Sequence, residues 1–215
     1  MKIARFFAAW LCLGLFACAR PESQSNTRTA PTAPSAPLAA PPPPLAAAAT
    51  TEVGGASIYD LRVPLLDETG AVRPLDTFRG HPVLITMFYG SCPVACPILT
   101  SDLKRLEQQI PEAIRSDVRI LMVSFDPERD TPAALTQLKQ ERGLNSHWTL
   151  ASTGDDAARE LAGVLDIKYR KVDGGAFYHT SVIVLLDRQG RPQVRLEGAG
   201  KDTSSILSAL AAPSI

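Results

Sequence analysis

Three stretches of the chain are apolar enough to be buried on both faces, and the remaining pattern is arranged between them. Val83 to Tyr89 is a nearly continuous apolar run, as expected of a strand with layers above and below it. Val118 to Phe125 is a second such strand, ending at Asp126-Pro127, and Ser181 to Asp187 is a third. Between the first two, Leu99, Leu103, Leu106 and Ile110 recur at helical spacing, predicting an amphipathic helix that begins at Ile98. Thr131-Pro132 supplies an N-cap and a proline at the first helical position for a helix to about Arg142. Ala158, Leu161, Ala162 and Leu165 mark a further helix, and another runs from about Thr203 to Ala211. Val63 to Leu75, broken by Gly70, predicts an N-terminal hairpin that ends at Phe78-Arg79-Gly80. Arg188-Gln189-Gly190 turns the third apolar strand back into Val194-Arg195-Leu196.

A strand, a helix and a second strand in this order pair in parallel through a right-handed crossover, while the last two strands pair antiparallel. The expected fold is α/β, a central mixed sheet flanked by helices, with an N-terminal hairpin extension. The element order resembles a thioredoxin-like sheet, in which the loop after the first parallel strand lies at the carboxyl edge where α/β ligands bind. Residues 56–215 suffice for one such domain with a core that needs no disulfide staple.

The N-terminal residues have a different composition. Residues 1–17 carry Lys2 and Arg5, then an apolar stretch from Phe6 to Ala17 with no acidic residue, which reads as a secretory signal. The stretch is too short for a spanning helix of about 20 residues. It runs into Leu15-Phe16-Ala17-Cys18, which resembles a bacterial lipobox and predicts acylation of Cys18. A signal-anchor helix is the alternative, and either reading places the domain outside the cytoplasm, on the periplasmic side of a bacterial membrane. Residues 18–55 hold eight of the eighteen prolines and almost no large apolar side chain, so they read as a disordered tether. At about 3.1 Å per residue, such a tether holds the domain up to about 100 Å from the bilayer.

Charge excludes one class of partner. The formal net charge is zero and no basic run occurs, so nothing favours nucleic acid. Losing residues 1–17 removes two positive charges and shifts the balance only to −2. Cysteine usage is more informative. Cys12 leaves with the signal and Cys18 carries lipid, so the domain retains Cys92 and Cys96 in Ser91-Cys92-Pro93-Val94-Ala95-Cys96-Pro97. Pro93 and Pro97 disfavour helical geometry at the residues before them, which predicts a tight loop ahead of the helix. The positive end of that helix favours thiolate over thiol.

The domain has three histidines, His81, His147 and His179. His81 lies at the far end of the first apolar strand and reads as a surface turn residue, and His147 as a solvated one. His179 stands in a loop just ahead of the third apolar strand, which this sheet order brings against the cysteine loop. Two thiolates and one imidazole suit Cu(I), with the imidazole keeping Cu(II) accessible. Zinc would lack a fourth ligand, and a plain disulfide is natural outside the cytoplasm.

Four ordered motifs narrow the choice: Phe88-Tyr89-Gly90-Ser91-Cys92-Pro93-Val94-Ala95-Cys96-Pro97, Ser124-Phe125-Asp126-Pro127-Glu128-Arg129-Asp130-Thr131-Pro132, Trp148 ahead of Thr153-Gly154, and Tyr178-His179-Thr180-Ser181. Together, over residues 58–212, they resemble the Sco/SenC family. The resemblance implies a thioredoxin fold on a membrane anchor, with one copper ion, Cu(I) or Cu(II), on Cys92, Cys96 and His179. It also implies a metallochaperone, rather than a turnover enzyme, for the dinuclear copper centre of cytochrome c oxidase. Asp130 matches the family's Asp-Pro-x-x-Asp-Thr aspartate and is expected near the site, orienting the histidine loop, unless it is a plain turn or cap residue. Val94 stands where many members carry an acidic or polar residue, and Gly90-Ser91 where a threonine is common.

The implied partners are the copper-site subunit of the oxidase or another cuproprotein, a thioredoxin-like reductant or a second copper chaperone, and the membrane through the lipid. The rival function is a periplasmic thiol-disulfide oxidoreductase, with Cys92 attacking and Cys96 resolving in a redox-active disulfide. Residues 176–181 contain no proline where thioredoxin-like redox enzymes carry one facing their cysteines, and contain His179 instead. A peroxide-reducing enzyme would be built on a single peroxidatic cysteine with nearby Thr and Arg, a pattern missing from this loop.

Overall fold

The run expected at 83–89 forms β3 (Val83–Phe88), and every one of its six residues is buried. The computed structural model describes residues 55–212. The expected signal and lipidation site, and all but the last residue of the expected tether, lie outside the described residues. β3 pairs in parallel with β4 (Arg119–Ser124). On its other side it pairs antiparallel with β8 (Val182–Leu186), which turns back into β9 (Pro192–Glu197). The N-terminal hairpin is present as β1 (Pro64–Asp67) and β2 (Val72–Pro74). Buried Asp67 closes its turn by accepting from Thr69 N at 2.9 Å, Ala71 N at 3.0 Å and Arg73 Nε at 2.5 Å.

The sequence reading omits β5 (Trp148–Ser152), which lies parallel to β4 and receives β1 on its outer edge. The seven-stranded order is therefore β2-β1-β5-β4-β3-β8-β9, a mixed thioredoxin-like sheet. Helices α1 (Ala95–Gln109), α2 (Glu112–Arg115), α3 (Pro132–Glu141), α4 (Asp155–Val164) and α5 (Ser204–Ala211) flank it. Thr131 caps α3 as expected, its hydroxyl accepting from Ala134 N with Pro132 in the first turn. No helix among the described residues is long and apolar enough to cross a membrane.

Two expectations are corrected. Helix α1 begins at Ala95, three residues before the expected Ile98, so Cys96 lies in its first turn. Pro97 is accommodated because the first turn has no intrahelical acceptor for its missing N–H in any case. His179 stands not in a loop but at the end of a second, two-stranded sheet, β6 (Tyr169–Lys171) with β7 (Phe177–His179).

Candidate metal centre

Chain direction brings the three candidate ligands together. β3 runs out at Phe88 into the cysteine loop, and β8, antiparallel to it, begins at Val182 beside that same end. Thr86 Oγ1 donates to Val182 O at 2.6 Å and fixes this meeting. β7 ends immediately before β8, so His179 arrives at the edge from which the cysteine loop leaves. His81 lies just ahead of the start of β3 and therefore stands about 20 Å away along the strand. There His81 Nδ1 meets the Asp117 carboxylate at 2.6 Å, and Arg188 reaches the other Asp117 oxygen at 2.6 Å. His147 lies beside Arg119 Nη1 at 3.4 Å. Neither joins the centre.

Cys92 and Cys96 are both buried and both free thiols. The Cys92 sulfur accepts the Cys96 N–H at 3.3 Å, and so does the work of an N-cap oxygen for α1, where Val94 offers no capping side chain. Cys96 Sγ lies 3.9 Å from His179 Nε2. The ligand atoms of Cys92, Cys96 and His179 all fall within 4.8 Å of one another. His179 Nδ1 lies 3.2 Å from Thr180 O. A carbonyl can only accept, so Nδ1 donates there and Nε2 is the nitrogen turned to the sulfur side.

The two thiols are polarised in opposite directions. Burial pushes the Cys92 thiol up, but the Cys96 N–H, the His179 imidazole, the Cys96 thiol and the Val94 N–H together bring it down to about 6. Burial pushes Cys96 up to about 12, against the pull of the Tyr89 backbone and with help from the neighbouring Cys92. One thiolate and one thiol therefore face the imidazole at neutral pH, and a metal taking both sulfurs displaces one proton.

Asp130 is buried at this edge, but it acts on the cysteine loop and not, as expected, on the histidine. Its Oδ2 accepts from Gly90 N at 2.8 Å and from the Ser124 hydroxyl. A Cβ on Gly90 would lie 2.5 Å from Asp130 Oδ1, so only glycine lets the carboxylate reach the backbone here. Burial raises the Asp130 pKa, the Ser124 and Gly90 hydrogen bonds oppose it, and the Asp126 charge adds to it.

Sequence reasoning missed an aromatic cluster that backs the histidine. Tyr89 meets His179 edge-on at 5.8 Å, Phe125 lies 5.3 Å from it, and Phe177 sits 5.2 Å from Tyr89 and 5.0 Å from Phe125. Tyr169 stacks on Phe125 at 4.7 Å and 12°. Tyr89 and Phe125 directly follow the ends of the two parallel strands β3 and β4, which brings their rings to the same edge as the cysteine loop. Two apolar side chains of the cysteine loop and the start of α1 are solvent-facing, Val94 at 64% and Ile98 at 44% exposed.

A family model described as SCO1/SenC matches residues 56–212. A SCO2-like protein of Rickettsia prowazekii is 27% identical over 135 residues, which make up 59% of this chain and 63% of that protein. The chain spans less than two thirds of two other curated relatives as well, 36% of one and 64% of the other. The copper-bound structure of ScoI from Bradyrhizobium japonicum aligns with a TM-score of 0.56 and 25% identity, covering 69% of this chain and 94% of that one. A SCO1/SenC family lipoprotein from Bacillus anthracis shares the fold, with a TM-score of 0.63 and 18% identity over 70% of this chain and 92% of its own. The centre is assembled from the strand ends and the loop that the matched region contains, and the chain belongs to the SCO1/SenC family.

Proposed function

We propose that the protein carries one copper ion as cargo on Cys92 Sγ, Cys96 Sγ and His179 Nε2. It would serve assembly of the dinuclear copper centre of a cytochrome c oxidase, from the periplasmic face of a bacterial membrane to which Cys18 anchors it. The observation that carries this reading is the three ligand atoms lying within 4.8 Å of one another, with no further imidazole or carboxylate in the group among the described residues. Two soft sulfurs satisfy Cu(I), and one nitrogen makes Cu(II) accessible without a cage that would retain either ion. ScoI of Bradyrhizobium japonicum, of the same fold, has been solved with copper bound. Transfer would proceed by ligand exchange, a target thiolate displacing one protein sulfur at a time, with exposed Val94 and Ile98 beside the cysteines receiving the target.

The opposite polarisation of the thiols supports a second reading as a thiol-disulfide reductase. Cys92 thiolate would attack a target disulfide, and Cys96, on losing its proton, would release the reduced target and leave a Cys92–Cys96 disulfide. Two electrons pass to the target.

Titration of the reduced, copper-free full chain with Cu(I) and Cu(II) separates the two. Cys96→Ser is expected to weaken Cu(I) by at least about 100-fold and His179→Ala to weaken Cu(II) by a similar factor. Unchanged copper binding in His179→Ala would overturn the carrier reading. Disulfide reduction that ignores His179 would promote the second.

A further inference from the structure

The loop between β4 and α3 touches both halves of the centre. Asp130 holds the cysteine side through Gly90 N, and its neighbour Arg129 reaches the opposite way. Arg129 Nη2 donates to Gly175 O at the turn of the β6–β7 hairpin, while Nε is bonded to the Asp126 carboxylate. Asp126 is only 2% exposed, so the guanidinium is fixed from behind by a group that cannot follow the hairpin outward. Its carbon lies 6.0 Å from the Phe177 ring centre. Gly175 has φ +76°, and a Cβ there would lie 3.0 Å from Arg129 Nη1. The turn is shaped around the guanidinium.

The hairpin needs such a hold. It has three residue pairs and joins no larger sheet, and an isolated two-stranded ribbon is marginal in water. Behind it lies a cleft of about 280 Å³ lined by residues that include Phe125, Glu128, Arg159, Tyr169 and Phe177. Phe177 and His179 are two residues apart on β7 and so face the same side. Whatever sets Phe177 against Tyr89 and Phe125 also sets the imidazole.

We infer that Arg129 is the positioning residue for His179: by tying the hairpin turn to buried Asp126, it holds the imidazole against the two sulfurs, and Cu(II) binding depends on it while Cu(I) binding does not. The inference rests on the carrier reading above. Cu(I) is satisfied by the sulfurs, which Arg129 does not touch, whereas Cu(II) needs the nitrogen. Lysine has one donor head and cannot span Asp126 and Gly175 O as the planar fork does.

The test compares full-length wild type, Arg129→Ala, Arg129→Lys and His179→Ala by Cu(I) and Cu(II) titration, Cu(II) paramagnetic resonance and amide hydrogen exchange of the copper-free protein. Arg129→Ala is expected to weaken Cu(II) by about 10-fold to 100-fold, to change Cu(I) by less than about threefold, and to shift the Cu(II) signature toward that of His179→Ala. The Val172 and Thr180 amides, bonded within and beside the hairpin, exchange faster while those of α1 are unchanged. Arg129→Lys recovers part of each change. A wild-type Cu(II) signature with wild-type hairpin exchange in Arg129→Ala overturns the inference, as does an equal fall of Cu(I) and Cu(II) with loss of α1 protection. If wild type takes up no copper, the carrier reading fails, and hairpin exchange alone then decides whether Arg129 holds the hairpin.

Discussion

Cys92 and Cys96 leave a six-residue strand buried along its whole length and enter a fifteen-residue helix, whereas His179 closes a hairpin of three residue pairs with a cleft at its back. The sulfur half inherits its geometry from the core. Moving it means moving β3 or α1, and both are packed into the cluster that contains Leu84, Leu99, Leu103 and Leu106. The nitrogen half is attached by aromatic faces, by one guanidinium and by the Lys171–Glu128 surface pair, and such a unit opens without unfolding the rest. For the copper carrier proposed above this inequality would be useful, because the two sulfurs would keep their place while the third ligand was released.

The difference is broken most severely from the sulfur side. Asp130→Ala removes the acceptor of the part-buried Gly90 N–H and the buried Ser124 hydroxyl and is expected to cost about 2–4 kcal/mol of global stability. That loss lowers the melting temperature by about 5–15 °C, and a shift within 1 °C of zero would show that Asp130 does not secure the cysteine loop. Asp130→Asn keeps an acceptor and isolates the charge. A carboxyl whose folded pKa is raised gives its full contribution below the unfolded value of about 3.9 and loses it as pH rises through the folded value. Burial raises that of Asp130, so wild type should lose stability relative to Asp130→Asn as pH rises above about 4. A difference moving the other way would contradict the assigned cause.

Phe177→Ala attacks the nitrogen side and should look quite different. Its ring packs at 5.2 Å from Tyr89 and 5.0 Å from Phe125, yet it is only half-buried. Local opening of the hairpin, read by exchange at Val172, becomes easier by about 1–2 kcal/mol. The melting temperature moves by less than about 3 °C, because the unit opens independently of the core. A drop as large as that of Asp130→Ala would mean that the hairpin is an integral part of the cooperative core.

The same inequality decides what was legible in the amino-acid pattern. Val83–Phe88 and Arg119–Ser124 announce themselves because a strand buried on both faces has no reason to alternate. Cys92, Cys96 and His179 are legible because the strand order alone brings their positions to one edge. Trp148–Ser152 is not, since its short run follows polar Asn145-Ser146-His147 and becomes a strand because β4 offers it an unpaired edge. The β6–β7 hairpin is hidden by charged Arg170 and Lys171, although Asp173-Gly174-Gly175 is a turn signal between aromatic strand formers. The direction in which Asp130 acts is written nowhere locally, because its partner Gly90 lies forty residues earlier.

The smallest expected effect belongs to a contact of the hairpin that is largely solvated. Lys171 Nζ meets Glu128 Oε2 at 3.2 Å, with the side chains 55% and 78% exposed, and such surface pairs contribute about 0–1 kcal/mol. Glu128 adjoins Arg129 and pulls on the same hairpin, so Glu128→Gln measures what charge alone provides there. Exchange at Val172 should change by less than about threefold, and that change should disappear in 1 M salt, where screening acts over about 3 Å. Copper affinity in both oxidation states should be unaltered. Arg129 differs because its guanidinium is bonded to a carboxylate out of reach of salt, so its effect on exchange should persist at 1 M. If Glu128→Gln opened the hairpin as far as Arg129→Ala, and salt erased both effects, the hairpin would be held by diffuse surface charge, and the histidine would owe its position to no single residue.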